Sequence, residues 1–150
     1  MLLNGQTLYK PNTRLLVIPR DCGNIAFTFG PVDYETFDKV CARPSAPRIM
    51  RAGESTYSDN LNDPKYLEEL REWSLKRFMY MVISSLSFTK ELQFETVDIS
   101  DPQTYSNLDS ELKSAGFVEA EIARIYKTAI EANGLDDEAI EKAKQDFLAM

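Results

Sequence analysis

The chain has 150 residues, 43% of them apolar and 27% charged, and carries a net charge of −7. That length and composition describe one globular domain whose core can form without metals or disulfides. The charge is uneven: the C-terminal third holds eleven acidic and five basic residues, a field that repels phosphate backbones and disfavours nucleic-acid binding there.

The N-terminal third reads as β structure. "LLNGQTLY" (2–9) signals a short strand or hairpin turning at Asn4-Gly5. "RLLVIPR" (14–20) is apolar and rich in β-branched residues. "NIAFTFG" (24–30) alternates, with Ile25, Phe27 and Phe29 on one face. The intervening "DCGN" is a turn signal, so the two runs form a hairpin. In "PVDYETFDKVC" (31–41), Tyr34, Phe37 and Val40 recur at helical spacing, which predicts one or two turns of helix.

Residues 42–63 contain Pro44, Pro47, Gly53 and many small polar residues. This composition predicts an extended, irregular linker or arm. Its "PSAP" (44–47) matches a short proline-rich ligand motif, but four residues recur often by chance and a plain extended arm is the better reading.

The strongest helix signal spans "DPKYLEELREWSLKRFMYMVISSL" (63–86). Asp63 is placed to cap it and Pro64 suits its first position. Tyr66, Leu70 and Trp73 share one stripe. From Phe78 onward the helix is apolar on every side, which predicts burial. "FTKELQFETVDIS" (88–100) fits a strand or a loop. Asp101-Pro102 opens a further helix carrying Tyr105, Leu108 and Leu112, and Gly116 stops it.

Two short amphipathic helices end the chain. Ile122, Ile125, Tyr126, Ala129 and Ile130 form the stripe of the first. Its cap position holds Val118, a poor capper, although Glu121 can reach back to the helix start. Asn133-Gly134 ends it. Asp136 is placed to cap the second helix and Leu135 to staple onto Ile140. The second stripe is Ala139, Ile140, Ala143, Phe147 and Leu148. Helices of this length are marginal alone in water, so each stripe must dock on the long helix, on a second copy or on a partner.

No catalytic constellation emerges. There is no histidine, and Cys22 and Cys41 lack both zinc-ligand spacing and a visible activator. No glycine-rich phosphate loop exists among six scattered glycines. Asp98, Asp101 and Asp109 could gather around a cation, but cap and surface roles explain them. No cofactor is expected. The longest apolar run, "FMYMVI" (78–83), is far short of the ~20 residues a membrane span needs, and with no signal peptide the two cysteines read as free thiols in a reducing compartment.

Three stretches in order, "VIPRDCGNIAFTFGPVDYETFDKVCARPSAP", "NDPKYLEELREWSLKRFMYMVISSL" and "LQFETVDISDPQTYSNLDSELKSAGF", together with the final "EIARIYKTAIEANGLDDEAIEKAKQDFL", resemble a family of small proteins from long-tailed bacteriophages. These are the tail assembly chaperones. The resemblance covers roughly residues 14–150 and includes no catalytic signature. It implies a protein that binds the tape-measure or tail-tube protein and keeps it soluble during tail assembly, in the cytoplasm of the infected bacterium. No residue role transfers with it.

The expectations are therefore as follows. The fold is α+β, with a β-rich N-terminal part (1–41), an extended linker or arm (42–63) and a helical part (64–150) of about four helices, including a long central helix and a C-terminal helical hairpin. The protein is a non-enzymatic binder of a tape-measure or tail-tube protein, with self-association as a further contact and without nucleic-acid or membrane partners. A virion structural component and an effector that binds a host protein are the alternatives. The interaction residues are Trp73, Ile122, Ile125, Ile130, Ile140 and Phe147.

Overall fold

The computed structural model describes residues 1–7, 13–134 and 137–149. Asn4 and Gly5 both take positive φ (54° and 76°), the requirement of the tight two-residue turn that matches strand twist. They join β1 (Leu2–Leu3) to β2 (Gln6–Thr7) in an antiparallel pair.

The main hairpin pairs β3 (Arg14–Ile18) with β4 (Ile25–Phe29), in the register Leu16 with Phe27 and Ile18 with Ile25. Phe27 and Phe29 are buried as the alternation requires. The opposite face stays in solvent, with Leu15 and Val17 exposed beside Thr28 and Ala26. The outer edge of β4 is closed by side chains. The Thr28 N–H donates to Thr89 Oγ1 at 2.9 Å, and that hydroxyl donates back to Thr28 O at 3.1 Å. The Gly30 N–H donates to Ser85 O, and Ser85 Oγ donates to Gly30 O at 2.8 Å. The ring of Phe88 lies over Gly30 where any Cβ would collide with it.

A short helix α1 (Glu35–Val40) follows and buries Phe37. The arm at 42–63 is less irregular than its composition predicts. Two short strands, β5 (Arg48–Ile49) and β6 (Ser58–Asp59), pair antiparallel within it, so local backbone pairing organises the proline- and glycine-containing segment.

Helix α2 (Pro64–Leu86) begins where the capping signals place it, with the Tyr66 N–H donating to the Asp63 carboxylate at 2.9 Å. At 23 residues it spans ~35 Å. Its second half, from Tyr80 to Leu86, is the centre of the core. Val82, Ile83 and Leu86 are essentially inaccessible, and β4, the 3₁₀ helix Pro102–Asn107 and α4 (Glu119–Asn133) pack around them.

Residues 88–100 form turns and loop, and the strand alternative does not occur. One carboxylate oxygen of Glu111 accepts hydrogen bonds from the backbone N–H groups of Glu95 and Thr96, and from the Thr96 hydroxyl. A side chain thus takes donors that a neighbouring strand would otherwise satisfy. Asp101 caps the 3₁₀ helix through the Gln103 N–H, and α3 (Leu108–Ser114) continues from it. Gly116, at φ 99°, ends α3 in a Schellman arrangement: the Phe117 N–H donates to Leu112 O and the Gly116 N–H to Lys113 O.

Helix α4 starts without a side-chain cap at Val118. Glu121 reaches back to accept from the Val118 N–H at 3.0 Å, half of a capping box. The other half is absent, because Val118 has no polar side chain, and the Glu121 N–H donates to Val118 O instead. Arg20, at the end of the β3 side of the hairpin, forms an ion pair with Glu121, donates to Gly116 O at 3.2 Å and stacks over Phe117. The pairing with Arg20 and the Val118 N–H hold the Glu121 carboxyl below the usual glutamate range. The Asp98 carboxyl is lowered too, by hydrogen bonds from the hydroxyl and N–H of Ser100. Lowered carboxyls stabilise the fold above their unfolded pKa values, and that contribution is lost as pH falls through the folded ones. The melting temperature is therefore expected to fall as pH drops from about 5 toward 2. Glu121→Gln should flatten this dependence, and thermal melts at a series of pH values check it.

The last element is α5 (Asp137–Leu148). The proposed Leu135 staple and Asp136 cap lie outside the described residues. The protein is thus α+β, with antiparallel two-stranded pairs toward its N-terminus and helices toward its C-terminus.

Candidate protein-interaction site

The six residues proposed for interaction fall into three environments. Ile122 and Ile125 belong to the chain's own core, at 4% and 0% exposure. They are corrected from contact residues to core residues: α4 turns their side of its stripe onto α2 and the hairpin, so they have no surface to offer. Ile130 is half exposed at the far end of α4. On α5, Ile140, Phe147 and Leu148 are exposed at 45%, 73% and 71%. The two C-terminal stripes were alike in sequence, but only the first is covered by the body of the protein.

The end of α4 is tied down by polar bonds. Asn133 Oδ1 accepts from the Val32 N–H at 2.7 Å, while its Nδ2 donates to Ala129 O at 2.8 Å. Ser85, fully buried, links α2 to the end of β4 through Gly30. Each buried group would lose ~1–3 kcal/mol if left unpartnered. These bonds hold α4 in place up to Asn133.

Trp73 occupies the third environment. It is half buried and its indole N–H donates to Cys41 O at 3.3 Å. Phe37 packs between it and Tyr80, with ring centroids 6.1 and 5.3 Å away. Tyr34 packs on Tyr80 from the other side, at 6.0 Å. Two arginines join this cluster. The Arg77 guanidinium lies 3.8 Å from the Tyr34 ring centre and 5.9 Å from that of Trp73, and Arg43 lies 5.5 Å from Trp73. Tyr34, Arg43 and Arg77 were missed as site residues. The four-residue spacing of Trp73 and Arg77 on one helix could have signalled the second arginine. Nothing local signals Arg43, which arrives from the segment after α1.

A further cleft of about 530 Å³ opens between the 92–96 loop and α3, over Phe27 and Phe117. Its Glu111 is engaged by Glu95 and Thr96, as described above. Asp98, Asp101 and Asp109 act locally: the first two cap turns, and Asp109 pairs with Lys113 at 3.0 Å. Among the described residues no group of three His, Cys, Asp or Glu could hold a metal ion. No described helix is long and apolar enough to cross a membrane. Cys22 is exposed and Cys41 partly so, and both are free thiols.

Tyr105 shows how the core treats its polar groups. It is 1% exposed, its hydroxyl donates to Ile99 O, and burial pushes the phenol up to about 12. It stays a neutral donor at any physiological pH and serves structure rather than proton transfer.

No family model, curated protein or solved structure matches this chain. Two exposed features stand out: the apolar side of α5 and an aromatic, arginine-bearing recess beside Trp73.

Proposed function

We propose that this protein is a non-catalytic tail assembly chaperone of a long-tailed bacteriophage, which binds the tape-measure or tail-tube protein and keeps it soluble until the tube polymerises. The observation that carries the reading is α5. It is amphipathic, yet its apolar residues Ile140, Phe147 and Leu148 are exposed together on one short helix, whereas the apolar stripe of α4 is largely buried. An amphipathic client helix can lay its apolar side against such a surface. Burying each of these side chains contributes about 1.5–3 kcal/mol. The acidic body, at net charge −7, keeps a complex with an aggregation-prone client in solution. The resemblance of residues 14–150 to the chaperone family points the same way.

The arm at 42–63 favours a second reading, a structural component of the virion, because exposed hairpins of that kind can reach onto neighbouring subunits. Quantitative mass spectrometry of infected-cell lysate and of purified particles separates the two. The chaperone reading expects the protein to be abundant in lysate and missing from particles. A fixed copy number per particle would overturn it in favour of the structural role.

A further inference from the structure

The recess beside Trp73 combines features that point to a ligand. It is an open recess of about 480 Å³, lined by Tyr34, Arg43, Trp73, Ser74, Arg77, Phe78 and Met81. Its only charged lining residues are the two arginines. Among the described residues neither guanidinium lies within 4.0 Å of a carboxylate or donates a hydrogen bond to the chain. Three acidic residues on the adjoining elements are engaged elsewhere: Glu35 pairs with Lys39, Glu69 with Lys65, and Asp33 accepts from the Glu35 N–H. A protein with 24 acidic residues thus keeps two cations unpaired in one concavity.

The stacking explains how they are held. A guanidinium lying on an aromatic ring is fixed through its face, and the N–H groups at its edge stay free to donate. Such a fork matches a carboxylate in bidentate geometry. Phe78, Met81 and the rings of Tyr34 and Trp73 supply apolar walls around the charge.

The geometry points to a binding site for an acidic peptide segment in which a carboxylate side chain neighbours an aliphatic or aromatic one. The carboxylate meets Arg77 and Arg43, and the neighbouring side chain lies against Phe78 and Met81. A long polyanion is a poorer ligand, since the surrounding negative field repels phosphates that extend beyond the two arginines. An inorganic anion would leave the apolar walls in water. The inference does not rest on α5, and either surface can fail without the other.

Trp73 is the chain's single tryptophan, so its fluorescence reports occupancy directly. The probe is a blocked hexapeptide alternating glutamate and leucine, with a glutamine–leucine peptide, inorganic phosphate and a single-stranded oligonucleotide as comparisons. The expected result is a saturable change in Trp73 emission with the glutamate peptide, and binding about tenfold weaker or worse with the glutamine peptide. Arg77→Gln and Arg43→Gln should each weaken the glutamate peptide to a similar degree, and Arg77→Lys should not restore it, because an ammonium lacks the planar fork. Arg43 is exposed, so Arg43→Gln keeps the test intact even if Arg77→Gln loosens α1. Equal binding of the two peptides, no saturable change at millimolar peptide, or indifference to Arg43→Gln would overturn the proposal. So would tighter binding of phosphate or the oligonucleotide than of the glutamate peptide.

Discussion

Replacing Ile125 by aspartate is expected to unfold the protein. Ile125 is at 0% exposure in the core shared by α4, α2 and the β3–β4 hairpin. The substitution removes a buried aliphatic side chain, which alone costs about 2–5 kcal/mol. It also places a carboxylate where no cation is available, a penalty of several kcal/mol more unless the group is protonated. Domains of this size are stable by only about 5–15 kcal/mol. The variant should therefore give no cooperative melt, or one shifted far downward, by circular dichroism. Ile125→Val should cost about 0.5–1.5 kcal/mol and keep the cooperative transition. A native-like melt for the aspartate variant would mean that α4 does not dock as described.

The same chemical change on α5 should have the opposite profile. Ile140→Asp and Phe147→Asp alter side chains already in solvent, and surface substitutions of this kind stay within about 0.5 kcal/mol. Melting should be unchanged. Binding to the tape-measure protein should weaken by about tenfold or more for each, because the complex loses an apolar contact of about 1.5–3 kcal/mol and gains a buried charge. Pull-down of co-expressed tape-measure protein, with wild-type chain as reference, reads this directly. Undiminished capture by the double variant would remove α5 as the client surface.

The contrast between Ile125 and Phe147 also marks how far local pattern reaches. The helix boundaries at four places, where the chemistry acts within one turn, were legible. Asp63-Pro64, Asp101-Pro102, Gly116 and Asn133-Gly134 lie at helix ends because capping groups and glycine conformations act on adjacent backbone atoms. The hairpin face of Ile25, Phe27 and Phe29 was legible for a similar reason: strand alternation is a local geometric rule. Residues 88–100 were ambiguous because their alternation fits a strand, and the group that decides against one, the Glu111 carboxylate, comes from another element. In the arm, the pairing of Arg48–Ile49 with Ser58–Asp59 had no periodic signal, since two residues are too few to show one.

The candidate site was less legible than the fold. Trp73 could be singled out by type, but its companions could not, because Tyr34 and Arg43 reach it from before and after α1. The two C-terminal stripes carry similar apolar residues, so sequence could not rank Ile122 and Ile125 against Ile140 and Phe147.

What the sequence determined by itself is the main hairpin, most of the helices with their capped ends, the apolar stripe of each helix and the acidic balance of the whole. These follow from backbone conformational preference, capping and side-chain periodicity, all of which act within a few residues. Only the tertiary structure decided which stripe is core and which is surface, and that Arg20 would pair with Glu121 in the first turn of α4 from a hundred residues away. It also decided that two arginines would share the rings beside Trp73. Burial is a property of what an element packs against. An amphipathic helix specifies only that one side avoids water, and whether the chain or a partner supplies the cover depends on where the other elements come to rest.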